Sequence, residues 1–66
     1  MGKIFIKKYV VAITGIKKVG RDTDIITYLS PVLFKPDADT AKGIAFGFFN
    51  DKNPGYLIHS YVVSEI

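Results

Sequence analysis

A chain of 66 residues without a cysteine must be held together by packing alone, and that requirement narrows its possible folds more than any motif in it. Domains of this size bury only about 60% of the surface their unfolded chains expose, and those that fall short usually rely on disulfides, metals or oligomerisation. With no thiol there is neither a disulfide framework nor a thiolate metal site. Residues 1–66 therefore read as a single domain, in which an unusually apolar core or a second copy of the chain supplies the missing stability. Hydrophobic residues at 48% and charged residues at 23% match ordinary folded domains and argue against disordered, collagen-like and coiled-coil classes.

Turn-forming residues cluster at 15–24, 35–39 and 50–55, which leaves four elements. Residues 9–14, Tyr-Val-Val-Ala-Ile-Thr, are short and dense in β-branched and aromatic side chains, so they read as a strand, with an extension back towards Lys3. Residues 24–34 share that composition, but Pro31 has no N–H to donate. This second strand must lie at a sheet edge, or be bulged or ended at Pro31. Between the two, residues 15–23 read as a long hairpin loop.

Residues 38–49 fit two periods. On a helical wheel Ala38, Ala41, Ile44, Ala45, Phe48 and Phe49 fall within an arc of roughly 140°, the stripe of a helix packed on a sheet. Asp37, after Pro36, is a natural N-cap, Asp39 suits the positive end of a helix, and Asn53-Pro54-Gly55 supplies the stop. Against this, Gly43 and Gly47 each cost ~1 kcal/mol relative to alanine within a helix. Ile44, Phe46 and Phe48 also alternate as a strand would. The start and stop signals decide for a helix over about 37–52; the alternative is a small all-β barrel with 44–49 as a strand. Residues 56–66 are again β-branched and aromatic and form the last strand.

The expected fold is thus α+β: a single two-layer ββαβ domain, with a three-stranded, mainly antiparallel sheet and one helix on one face. The other face then needs polar residues or a partner. Tyr, Val, Ile and Leu occupy both parities of the last strand and do not meet the first requirement. Self-association is therefore expected, a dimer being favoured, with Tyr56, Ile58, Tyr61, Val62 and Val63 as interface candidates.

The net charge of +3 hides an asymmetry, because Lys3, Lys7, Lys8, Lys17, Lys18 and Arg21 all precede the first acid, Asp22. Such a segment attracts phosphate or an acidic protein surface, or pairs with the chain's own acids. A nucleic-acid reading would use Lys7, Lys8, Lys17, Lys18 and Arg21 on phosphates and Tyr9 and Tyr28 as stacking platforms. Burial explains the aromatic residues more simply.

Catalytic signals are weak. Gly15 and Gly20 have the four-residue spacing of a phosphate loop, but Arg21 and Asp22 stand where Lys and Ser or Thr belong. His59 is the single histidine and has no positioned partner, since Ser60 points to the opposite strand face. Asp37 and Asp39 form a capping pattern rather than a metal cage. No catalytic, cofactor-binding or metal-binding residue is assigned, and neither an enzyme nor a small-molecule substrate is expected. The apolar run 9–16 is far shorter than the ~20 residues of a membrane helix, and Met1-Gly2 lacks the Ser or Thr of a myristoylation signal. A cytoplasmic, non-enzymatic protein-interaction module that self-associates through its sheet is the expected function, with a protein partner favoured over nucleic acid.

Overall fold

A computed structural model describes residues 5–66. The chain runs β1 (Lys7–Val19), β2 (Asp22–Leu29), β3 (Leu33–Lys35), α1 (Ala38–Lys52) and β4 (Leu57–Glu65). The fold is α+β, with one helix on an open, wholly antiparallel four-stranded sheet rather than a closed barrel. β1 is the axis of the molecule. β4 pairs along one side of it, while β2 and β3 lie end to end along the other.

The sheet differs from the sequence expectation in two places. Residues 15–19 are not loop. They continue β1, and the turn shrinks to Gly20 and Arg21 between the paired residues Val19 and Asp22. Gly20 has φ +63° and Arg21 a negative φ, the pattern of a type II′ hairpin turn, which takes Gly at its first central position. The expected extension towards Lys3 lies outside the described residues; β1 begins at Lys7.

The second difference is a fourth strand. Pro31 does end β2, as its missing N–H requires, but the chain resumes pairing with β1 at Leu33. Ser30 bridges the break. Its N–H donates to the Val11 carbonyl (2.9 Å) and its buried Oγ accepts from the Val11 N–H (2.9 Å) while donating to the Pro31 carbonyl (2.9 Å). A hydroxyl thus satisfies an amide that an unbroken strand would have satisfied with a carbonyl.

The helix begins where its cap dictates. The Asp37 carboxylate accepts from the Thr40 N–H at 2.8 Å, and this bond holds the Asp37 carboxyl below its usual pKa. At the other end both the backbone N–H and Nδ2 of Asn53 donate to the Phe49 carbonyl. Ala41, Ala45 and Phe49, spaced i, i+4, i+8, are fully buried. The buried stripe is narrower than the wheel suggested, because Ala38 and Phe48 are exposed. Small residues at 41 and 45 let the helix lie close on Tyr9, Val11, Ile13 and Leu33, and these seven form the core. Phe49 reaches furthest, over Gly15, where any Cβ would overlap its Cζ. Gly15 therefore marks the place where the helix's largest side chain meets the sheet, and the strand runs on beneath it.

Candidate interaction surface

Alternation along β1 sorts the sheet's side chains. Tyr9, Val11, Ile13 and Gly15 are buried under the helix, and Lys17 and Val19 carry that face beyond it. Side chains opposite one another in an antiparallel pair share a face. The register thus adds Asp22, Asp24, Ile26 and Tyr28 of β2, and Ile58, Tyr61, Val63 and Glu65 of β4, to the helix side. The other side carries Lys8, Val10, Ala12, Thr14, Ile16 and Lys18 of β1, flanked by Ile25, Thr27 and Leu29 of β2, Phe34 of β3, and Leu57, Ser60, Val62 and Ser64 of β4.

Among the described residues, no element covers this second face. Leu57 (71% exposed), Leu29 (67%), Ile25 (63%) and Val62 (62%) surround the half-buried Val10, Ala12 and Ile16. Its charged groups among the described, register-paired strand residues are Lys8 and Lys18, ten residues apart along β1 and so about 33 Å apart at strand rise; His59 sits at the bulge, outside the paired register. Every carboxylate of the strands stands on the helix side. The face is an apolar strip with a cation near each end of β1.

The five interface candidates divide between the faces. Tyr56, Ile58 and Val63 pack against the core from the helix side. Tyr61 meets Phe46 edge-on (centroids 5.2 Å apart), with the Lys42 ammonium 5.3 Å from its ring centre. Only Val62 lies on the open face. Of its companions there, Leu57 belongs to the same apolar last strand, whereas Leu29 and Ile25 do not stand out in the sequence because β2 reads as an ordinary half-buried strand until its outer face proves uncovered.

The nucleic-acid candidates are also dispersed. Lys7 and Lys8 lie at one end of β1, and Lys17, Lys18 and Arg21 at the other. Lys7 approaches Glu65 (3.9 Å), and Lys17 stands opposite Asp24 in the register. Tyr9 is 5% exposed and offers no ring face for stacking. Tyr28 is half-buried and set edge-on to Phe49 (5.9 Å). Beyond the helix, the Tyr56 hydroxyl donates to the Asp24 carboxylate and its ring lies 5.6 Å from the Lys17 ammonium. The hydrogen bond to Asp24 raises the Tyr56 pKa above its ordinary value.

His59 is exposed at the irregularity in β4, where the register slips between Thr14 and Gly15 of β1. Among the described residues there is no concave pocket and no cluster of three or more His, Cys, Asp or Glu side chains able to hold a metal ion. No described helix is long and apolar enough to cross a membrane. Comparison with protein-family models, curated proteins and solved structures found no match to this chain.

Proposed function

We propose that the protein is a non-enzymatic, cytoplasmic protein-interaction module whose open sheet face docks a protein partner with an apolar surface fringed by carboxylates. The observation that carries this reading is the composition of that face: large apolar side chains left in water, with lysine as the only charged residue type among its described, register-paired strand residues. Fully burying one such side chain contributes roughly 1.5–3 kcal/mol, so Leu57, Leu29, Ile25 and Val62, each about two-thirds exposed, together contribute roughly 4–8 kcal/mol. Association itself costs about 4–15 kcal/mol. The strip alone is thus of the same order as the cost of docking, and apolar surface on the partner must add to it. Lys8 and Lys18 then serve mainly for orientation and rate, as rim charges do.

Selection of binders from a displayed library of random peptides tests the chemistry directly. Peptides that combine an apolar stretch with Asp or Glu at its ends are expected, and Lys8→Glu with Lys18→Glu should shift the selection towards basic ends. Leu29→Asp should abolish binding. Binders without charge bias, or binders insensitive to Leu29→Asp, would remove the open face from the function. A gel shift with random oligonucleotides that is lost on Lys17→Glu with Lys18→Glu would favour nucleic acid instead.

A further inference from the structure

The two edges of the sheet are built differently. The β2/β3 edge is interrupted by Ser30-Pro31-Val32, a break of the kind that keeps edge strands from pairing with other chains. The β4 edge spans nine residues and contains neither proline nor lysine. Its one irregularity lies near His59, and residues 60–65 run in unbroken register with β1. Ile66 donates its N–H to the Lys8 carbonyl (2.9 Å). Because antiparallel backbone groups alternate in direction, Ser64 and Val62 also turn theirs towards β1, while Tyr61, Val63 and Glu65 turn theirs outward.

We propose that this edge pairs with β4 of a second copy of the chain, antiparallel and centred on Val63, to make an eight-stranded sheet. In that register the outward amides and carbonyls of Tyr61 and Glu65 in one copy meet those of Glu65 and Tyr61 in the other, and Val63 meets itself. The charges agree with the geometry. Lys42 lies over the Tyr61 ring, and the residue set opposite Tyr61 across the new edge is the second copy's Glu65, on the same face. Glu65 already has Lys7 of its own copy at 3.9 Å, and each half of the dimer brings Lys42 as a second cation towards the other's carboxylate. The bulge near His59 stops a longer overlap. The two-fold axis is perpendicular to the sheet, so both helices lie on one side. The two β1 strands stand about 14 Å apart at three strand spacings. That exceeds the 8–10 Å of packed helices, so the helices do not collide. The open faces join into one platform on the other side, and the dimer presents the surface of the proposed function twice.

Amide hydrogen exchange by NMR at low and high protein concentration tests the pairing. The Tyr61, Val63 and Glu65 amides should gain protection with concentration, while those of Val62 and Ser64, bonded to β1, serve as the unchanging control. Outward amides that exchange equally fast at all concentrations would overturn the proposal. A charge-swap cycle followed by sedimentation gives a second measure. Lys42→Glu and Glu65→Lys should each weaken the dimer several-fold, and the double variant should recover it; no recovery would refute the register. Leu29→Asp, on the open face and away from β4, should leave the dimer intact. If it disperses the dimer instead, the copies meet through their open faces. A monomer at every concentration would end the edge pairing and leave the docking of a partner on the open face standing.

Discussion

The two faces of the sheet have similar residue types and opposite fates. Under the helix, Val11 and Ile13 lose all their exposure; on the reverse side, Leu29 and Val62 keep most of theirs, although either set would suit a core. Only the covering differs. A single 15-residue helix spans one side of the sheet, and no element among the described residues lies on the other. Side chains that hold the fold together and side chains free to meet a partner can therefore be told apart by substitution, although composition does not separate them.

The largest expected contrast is between Phe49 and Leu29. Phe49→Ala removes a fully buried ring that contacts both Gly15 and Tyr28, and it should cost about 3–5 kcal/mol in denaturant unfolding. Leu29→Ala, at an exposed site, should stay within about 0.5 kcal/mol. Similar losses at both positions would mean that the second face is covered within the folded molecule. The glycines give a contrast of opposite sign. Gly15→Ala forces a methyl into the Phe49 ring and should destabilise by about 1–3 kcal/mol. Gly43 and Gly47 have open space where a Cβ would go, so alanine at either should raise stability by up to about 1 kcal/mol. A loss at 43 or 47 would show that this side of the helix carries a contact of its own.

Ser30 tests the edge that is broken. Ser30→Ala leaves the Val11 N–H buried beside a methyl group, and an unsatisfied buried donor costs about 1–3 kcal/mol. A variant as stable as the parent would mean that water or a shifted carbonyl replaces the hydroxyl. The same variant should speed exchange of the Val11 amide and leave that of Ser64, on the opposite edge, unchanged.

Much of this was legible in the sequence, and the parts that were not share a cause. Asp37 and Asn53-Pro54-Gly55 announced the helix because caps act through neighbours three or four residues away, and Pro31 announced the end of β2 because a missing N–H is a local fact. Gly15 misled because its reason is distant: the ring that excludes a side chain there is Phe49, which no local pattern links to it. Tyr9 likewise combined a basic neighbour with an aromatic ring, as a stacking residue would, yet Leu33 and Glu65 opposite it in the register place it on the covered side. The face on which a strand residue lies depends on pairing partners tens of residues away. The uncovered face was therefore predictable as a shortage of elements, although Val62 was the only one of its residues among the interface candidates.

The smallest effect belongs to the arm of the hairpin that extends past the helix, where residues 17–25 are exposed and a polar contact ties the arm to Tyr56 at the rim of the core. There the Tyr56 hydroxyl donates to Asp24, and the carboxylate stabilises the protonated phenol against ionisation, which raises its pKa. An unfolded tyrosine ionises near pH 10. The folded state thus holds its proton to higher pH than the unfolded state does. The resulting stabilisation is fully present below the unfolded pKa and is lost as pH rises through the folded one. Ultraviolet titration of the parent against Asp24→Ala should show Tyr56 ionising later in the parent, and the variant should lose only a little stability at neutral pH. If Asp24→Ala unfolds the chain as Phe49→Ala does, the arm is part of the core's cooperative unit and the contrast between packed and unpacked regions fails at its outer end.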